Sequence, residues 1–342
     1  MTTRQPTRVL VVDDSAFARK VLRETLAVST DLEVVGVARD GLEALEKIAE
    51  LKPDVVTLDL IMPNLDGIGV LRALPPEGAP RVVVVSISDG NSALGIEALQ
   101  MGAVDIVQKP TALATDRLYE MSAELVAKVI AAGASRPRLG EPALPRRVQP
   151  RPGGRTRLVV VGASTGGPQA LTRLLTALPA DLPCGIAIAL HIPAGYTEAL
   201  ARRLDEACAV RVAEASDGAE LLPGHVMIAR GGTHLRLRAE GSRVTAHLDQ
   251  TPVDSGFCPS VDVLFQSAAA AVGPAVLGVV LTGMGNDGVE GARAIARVHG
   301  RTLTEAEESC VVYGMPRAVV EAQLSAGEAP IEGMADKIVE SL

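Results

Sequence analysis

The chain has 342 residues, of which 47% are apolar but only 2% aromatic, and a formal net charge of −8. That length suits about two domains. Their cores must be built from Val, Leu, Ile and Ala, as in parallel sheets covered by helices. The acidic balance argues against a general nucleic-acid binder, which needs a basic face. No charged-then-apolar leader and no apolar run near ~18 residues stands in the sequence, so the expectation is a soluble cytoplasmic protein without membrane insertion. Cys184, Cys208, Cys258 and Cys310 lack C-x-x-C spacing, which favours reduced thiols over disulfides or a zinc site.

Over residues 5–132, apolar strands (8–12, 32–38, 55–58, 82–87 and 105–107) alternate with helical patterns (16–27, 42–51 and 93–101). This alternation predicts a five-stranded, doubly wound parallel sheet. Functional residues then belong at the carboxyl ends of the strands. Asp13 and Asp14 end the first strand, Asp59 the third and Ser86 the fourth, while Lys109 follows the fifth. Carboxylates converging in one crevice repel each other unless a cation is present. Oxygen ligands with room for water and phosphate suit Mg²⁺. A carboxylate beside that ion and a lysine is equipped to accept a phosphoryl group.

The segments Val11-Val12-Asp13-Asp14-Ser15, Leu58-Asp59-Leu60-Ile61-Met62-Pro63 and Asp105-Ile106-Val107-Gln108-Lys109-Pro110 resemble those of a two-component receiver domain. The resemblance implies that Asp59 is the phosphoacceptor and that Asp14 and Asp59 bind Mg²⁺, with the Ile61 carbonyl as a third ligand. Asp13 would act through water, Ser86 and Lys109 would contact the phosphoryl group, and Lys109-Pro110 would be cis. Ile106 stands where many receivers carry an aromatic switch residue, which argues against a ring-flip mechanism.

Residues 133–157 are rich in Pro and Gly and carry seven arginines against one acid, Glu141. They read as an extended tether.

A second domain, 158–342, opens on a buried strand that runs into Gly162-Ala163-Ser164-Thr165-Gly166-Gly167-Pro168. Glycines permit a tight turn, and Pro168 suits a first helical turn. The pattern fits a G-x-S-x-G nucleophile elbow. Next come a helix over 168–178, a strand over 185–190 ending in His191, and a helix over 196–207. A glycine-punctuated β region follows at 226–229, 234–238 and 244–248. A helix over 261–272 leads to a strand over 276–281, a loop holding Met284 and Asp287, and a helix over 289–297. Three strands therefore lead to Ser164, His191 and Asp287, the makings of nucleophile, base and orienting carboxylate. The order Ser, His, Asp differs from that of an α/β-hydrolase. Oxyanion donors are expected from the amides near Thr165 and Met284. His225, His234, His247 and His299 read as surface or hydrogen-bonded residues. Asp217, Asp249 and Asp262 read as turn, strand-end and cap residues.

Together with Leu190-His191-Ile192-Pro193, Ser260-Val261-Asp262-Val263-Leu264-Phe265, Leu281-Thr282-Gly283-Met284-Gly285-Asn286-Asp287-Gly288 and Ser309-Cys310-Val311-Val312-Tyr313-Gly314-Met315-Pro316, this domain resembles the catalytic domain of bacterial chemotaxis protein-glutamate methylesterases. The resemblance implies a Ser164, His191, Asp287 triad with oxyanion donors at Thr165 and Met284. It also implies a phosphorylation-activated serine esterase that hydrolyses glutamate methyl esters, and deamidates glutamines, on methyl-accepting chemoreceptors. A histidine kinase would be the phosphodonor, and the esterase step would need no cofactor. Ile192 stands where Met is usual. Residues 304–308 depart from the family's Ala-Gln-Asp-Glu wording, at a place expected to lie far from the chemistry. The alternative is a non-enzymatic response regulator whose glycine-rich loop binds a nucleotide or a partner, a role with no need of His191 and Asp287.

Overall fold

The computed structural model describes residues 5–75, 77–86, 92–109, 115–135, 156–253 and 256–342. The chain divides into two compact units, Met1–Leu139 and Gly140–Leu342.

In the first unit, strands β1 (Thr7–Val12), β2 (Leu32–Ala38), β3 (Val55–Leu58), β4 (Arg81–Ser86) and β5 (Asp105–Gln108) form one sheet in the order β2-β1-β3-β4-β5. Every neighbouring pair is parallel. Helices α1 (Ala16–Leu26), α2 (Gly41–Leu51), α3 (Gly67–Ala73) and α4 (Ser92–Gln100) make the crossovers, and α5 (Thr115–Ala134) follows the last strand. This is the doubly wound sheet expected from the apolar runs. All four β3 residues are buried, as suits a strand covered on both faces. β1 pairs with β2 on one side and β3 on the other, so the strand order reverses at β1. A crevice opens there at the carboxyl ends, holding Asp13 and Asp59. Pro110 lies outside the described residues, and so do residues 136–155 of the expected tether.

The second unit holds β6 (Leu158–Ala163), β7 (Gly185–Leu190), β8 (Arg211–Glu214), β9 (His225–Ile228), β10 (His234–Glu240), β11 (Arg243–Asp249), β12 (Val276–Val280), β13 (Arg301–Glu305) and β14 (Gly327–Ala329). Seven of them form a wholly parallel sheet in the order β14-β13-β12-β6-β7-β9-β8. β6, β7 and β12 are buried along their whole length. The glycine-punctuated β region divides: β9 joins the main sheet, while β10 and β11 form an antiparallel hairpin. Leu235, Leu237 and Ala246 of that hairpin join the core, and Arg238 faces outward. Its two-residue turn uses Gly241 at φ +65°, which a glycine adopts without strain.

Helices α6 (Gly167–Ala177), α7 (Thr197–Ala207), α8 (Val261–Val272), α9 (Val289–Arg297), α10 (Met315–Glu321) and α11 (Ile331–Glu340) cover the sheet. α6 packs with α7 and α11, while α8 packs with α9 and the hairpin. With few aromatics available, the core is aliphatic, and Phe265 of α8 fills its centre. α8 lies hard on β6: a Cβ at Gly162 would come within 2.3 Å of Val261 Cγ1.

Gly162→Ala must push α8 outward, and overpacking of this kind costs about 1–3 kcal/mol. A lower urea midpoint at unchanged slope is expected, and an unaltered midpoint would show that the contact gives way freely.

Candidate active site and phosphoacceptor site

β6 and β7 pair with Ala163 opposite Leu190. The next residues on the two strands are Ser164 and His191, so neighbouring-strand spacing sets them side by side. The ladder reaches this point through His191 N–H, which donates to Ala163 O at 3.0 Å. On the other flank β12 pairs with β6, and Ser164 N–H donates to Thr282 O at 3.0 Å. Ser164 thus sits between its two sequence-distant neighbours, at the place where the strand order reverses.

The turn after Ser164 is held tightly. Gly166 adopts φ +78°, and a Cβ there would meet Val311 Cβ at 2.5 Å. Gly167 N–H donates to Ser164 O at 2.6 Å, and α6 begins with Pro168 in its first turn. From the other side Gly283 lies directly on the serine: a Cβ there would be 2.7 Å from Ser164 Cβ. That approach brings Met284, one peptide further on, to the same turn. Thr165 is buried there, its carbonyl accepting from Thr282 Oγ1 at 3.0 Å.

Asp287 is 2% exposed and fully engaged. Its Oδ2 lies 2.8 Å from His191 Nε2 and accepts Val261 N–H at 2.7 Å. Its Oδ1 accepts Asp262 N–H at 2.9 Å and Ser260 Oγ–H at 3.0 Å. Burial pushes its pKa up, but the bond to His191, that residue's charge and the two amides at the start of α8 outweigh burial, leaving the carboxyl below its ordinary value. His191 is fixed further by Phe257, whose ring stacks on the imidazole at 4.1 Å between centroids and 6° between planes. His191 Nδ1 is buried with no hydrogen-bond partner, and among the described residues no hydrogen bond joins Ser164 Oγ to His191. Such bonds are often long in unliganded sites and tighten with substrate.

Asp262 is indeed a cap, but for a helix other than its own. Ser260 caps α8, accepting from Val263 N–H, whereas Asp262 Oδ1 accepts Gly288 N–H at 2.9 Å and Gly291 N–H at 2.6 Å at the start of α9. Asp287 and Asp262 therefore cap each other's helices. Burial first, then the neighbouring Asp287 charge, push the Asp262 pKa up to about 6 against the opposing amides. His234 is buried and accepts Ser260 N–H at 3.2 Å. His225 bonds Pro223 O, His247 faces Asp217, and Asp249 pairs with Arg236, in the minor roles expected of them.

One expectation is corrected. The divergent segment 304–308 is not remote from the site: Glu305, wholly buried, accepts Thr282 N–H at 2.8 Å, and Thr282 in turn holds Ser164.

In the first unit, oxygens of Asp13, Asp14 and Asp59 lie within 4.8 Å of one another. Lys109 Nζ sits 2.6 Å from Asp59 Oδ2 and 2.5 Å from Asp13 Oδ2. Burial raises the Asp13 pKa despite Lys109 and the Ser15 amide, with Asp59 adding to the rise. Three acids against one lysine leave a negative cradle of hard oxygen donors, which fits a hydrated divalent cation. Ser86 is buried at the end of β4, its carbonyl accepting Lys109 N–H at 2.9 Å. Arg19, not singled out in the sequence, ties the Asp13 and Asp14 carbonyls at 2.7 and 2.9 Å.

Fold and geometry together define a class: a response regulator whose second unit is built like a hydrolase, with a histidine and a buried carboxylate beside a strand-end serine. The family model for CheB methylesterase matches residues 159–338, and that for the response regulator receiver domain matches residues 9–121. The chain belongs to the CheB methylesterase family. It is 62% identical to protein-glutamate methylesterase/protein-glutamine glutaminase 5 of Myxococcus xanthus, over 98% of this chain and 97% of the relative. It is 40% identical to the protein-glutamate methylesterase/protein-glutamine glutaminase of Thermotoga maritima, over 97% of this chain and 98% of that one. The crystal structure of the Thermotoga maritima CheB methylesterase catalytic domain superimposes with a TM-score of 0.54 at 37% identity, covering 55% of this chain and 99% of that one.

The two helix-capping acids make opposite contributions with pH. A carboxyl raised from 3.8 to about 6 holds its proton more tightly in the folded chain, so its contribution to stability falls as pH rises through that window. Asp287, depressed, contributes at higher pH and loses its contribution as pH falls through its folded value. Asp262→Asn keeps an oxygen for the Gly288 and Gly291 amides and removes the titration. Its Tm should gain on the wild type as pH rises from about 4 to about 7. A Tm difference that stays constant with pH would contradict this.

Proposed function

We propose that this chain is a phosphorylation-activated, cytoplasmic protein-glutamate methylesterase that also deamidates glutamine, acting on methyl-accepting chemoreceptors. Ser164 Oγ attacks the γ-carbonyl carbon of a methylated glutamate, and His191 accepts the serine proton. With Nε2 given to Asp287, Nδ1 is the ring nitrogen left for Ser164, and we assign it that role. Asp287 orients the ring and offsets the positive charge it gains. Amides of Thr165 and Met284 receive the negative charge on the carbonyl oxygen.

Collapse of the tetrahedral centre breaks the C–O bond to methoxide, which leaves as methanol with the proton from His191. Water then attacks the acyl-serine, gives its proton to His191, and releases glutamate and free Ser164. A glutamine side chain follows the same course with ammonia as leaving group. Apart from the hydrolytic water, the groups assigned to these steps are side chains and amides of the chain. The observation that carries the proposal is the 2.8 Å contact between His191 Nε2 and a buried, fully engaged Asp287, one strand away from Ser164. A loop that only held a nucleotide has no use for that pair.

In the receiver, Asp59 is the phosphoacceptor, with a histidine kinase as donor. Asp14 and Asp59 would hold Mg²⁺, which screens the acids from the incoming phosphoryl group. Asp13 lines the same pocket and Lys109 neutralises a phosphoryl oxygen, while the Ser86 hydroxyl donates to another.

Methanol release from methylated receptor should be lost in Ser164→Ala. Release equal to wild type would sink the serine mechanism. A small-molecule phosphodonor with Mg²⁺ should raise release by the wild type and leave Asp59→Asn unstimulated. Equal stimulation of both would place the phosphoacceptor elsewhere.

A further inference from the structure

Behind the nucleophile turn stands a second carboxylate that the reaction itself does not use. Glu305 is the last residue of β13 and is wholly buried. β12 pairs with β13 as far as Val280 opposite Thr304, after which the chain leaves toward β14: Ala306 N–H donates to Ala329 O at 2.8 Å. Thr282 N–H is thereby left without a ladder partner, and a buried amide must find an acceptor. Glu305 Oε2 supplies it at 2.8 Å, while Oε1 accepts Ser309 Oγ–H at 2.8 Å. Ser309 Oγ in turn accepts Ile331 N–H at 3.0 Å, anchoring the group to the start of α11.

Thr282 is held on one side and does the holding on the other. Its carbonyl accepts Ser164 N–H at 3.0 Å. Its hydroxyl donates to Thr165 O at 3.0 Å and accepts Val312 N–H at 2.9 Å. The next residue, Gly283, packs on Ser164 itself. A shift of the Thr282 peptide is therefore transmitted to the serine, to the Thr165 peptide and to the loop carrying Met284.

Resting on the esterase reading above, we infer that Glu305 is a positioning residue for Ser164, acting by the reach of its carboxylate to the Thr282 amide rather than by its charge. Thr282 N–H and Ser309 Oγ–H, which it accepts, are not among the groups assigned to the reaction. The carboxylate oxygens of Glu305 accept from Thr282 and Ser309, and the more distant of these donors, Ser309, can reverse its role: its hydroxyl also lies 3.3 Å from Ala306 O. A glutamine would keep the bond to Thr282 through its carbonyl oxygen and donate its amide to Ser309. An aspartate, one methylene shorter, would keep the charge and lose the reach.

The test compares Glu305→Asp and Glu305→Gln in the full chain, by methanol release from methylated receptor and by the rate at which a fluorophosphonate probe labels Ser164. Displacing a reacting group by about 1 Å costs up to about 10²-fold, so Glu305→Asp should lower kcat toward that extent with KM unchanged and slow labelling in parallel. Glu305→Gln should restore most of the lost activity. Any other pattern overturns the inference: both variants as active as wild type, both equally impaired, or Asp active and Gln impaired. If Glu305→Asp does not fold, Ser309→Ala carries the test, since it frees the second carboxylate oxygen; kcat should fall at constant KM, and unchanged kcat overturns the proposal. A wild type that neither releases methanol nor takes the probe would instead sink the esterase reading itself.

Discussion

The second unit is arranged around one buried carboxylate. Asp287 carries its charge out of water at the junction of β12, α8 and α9, and a buried anion left unpaired is costly. Four donors meet its two oxygens: two amides and a hydroxyl at the start of α8, and the imidazole of His191. The helix start does more than cap itself, since it makes an anion tolerable at the point where a histidine needs orienting. Asp262 returns the arrangement by capping α9. Neither helix can move without disturbing the acid that the other depends on.

Both units place their chemistry by the same topological rule. In a doubly wound parallel sheet the carboxyl ends of the strands open a crevice where the strand order reverses. In the first unit that point lies between β1 and β3, and it gathers Asp13, Asp14 and Asp59 with Lys109 arriving from β5. In the second it lies at β6, flanked by β7 and β12, and it gathers Ser164, His191 and Asp287. The proposed phosphoryl-accepting pocket and the proposed hydrolytic site thus come from one construction, with acids and a lysine in one case and a serine and a histidine in the other. Fold alone does not decide the chemistry; the residues at the strand ends do.

The candidate residues Asp59, Ser164 and His191 were legible from the sequence because each directly follows a buried strand at a turn. Asp287 was legible through its glycine-loosened loop. Short or polar strands toward the two ends of the sheet were not. β8, with two exposed residues of four, β13, which alternates Thr with Leu, and the three-residue β14 lack the apolar run that announced the central strands. The hairpin read as β structure, but only tertiary contact with α8 separates it from the main sheet. Phe257, one of three phenylalanines in the chain, carries no local signal of its stacking on His191. Glu305 was misjudged for a similar reason: distance along the chain says nothing about a side chain reaching back across a neighbouring strand end.

The central claim is that His191, oriented by Asp287, activates Ser164. It is tested most directly by the rate at which a fluorophosphonate probe modifies Ser164 in the wild type, in His191→Ala and in Asp287→Asn. The account predicts labelling at Ser164 that slows by about 10²-fold or more in each variant. Labelling at wild-type rate in either variant, or modification of a different residue, would contradict it.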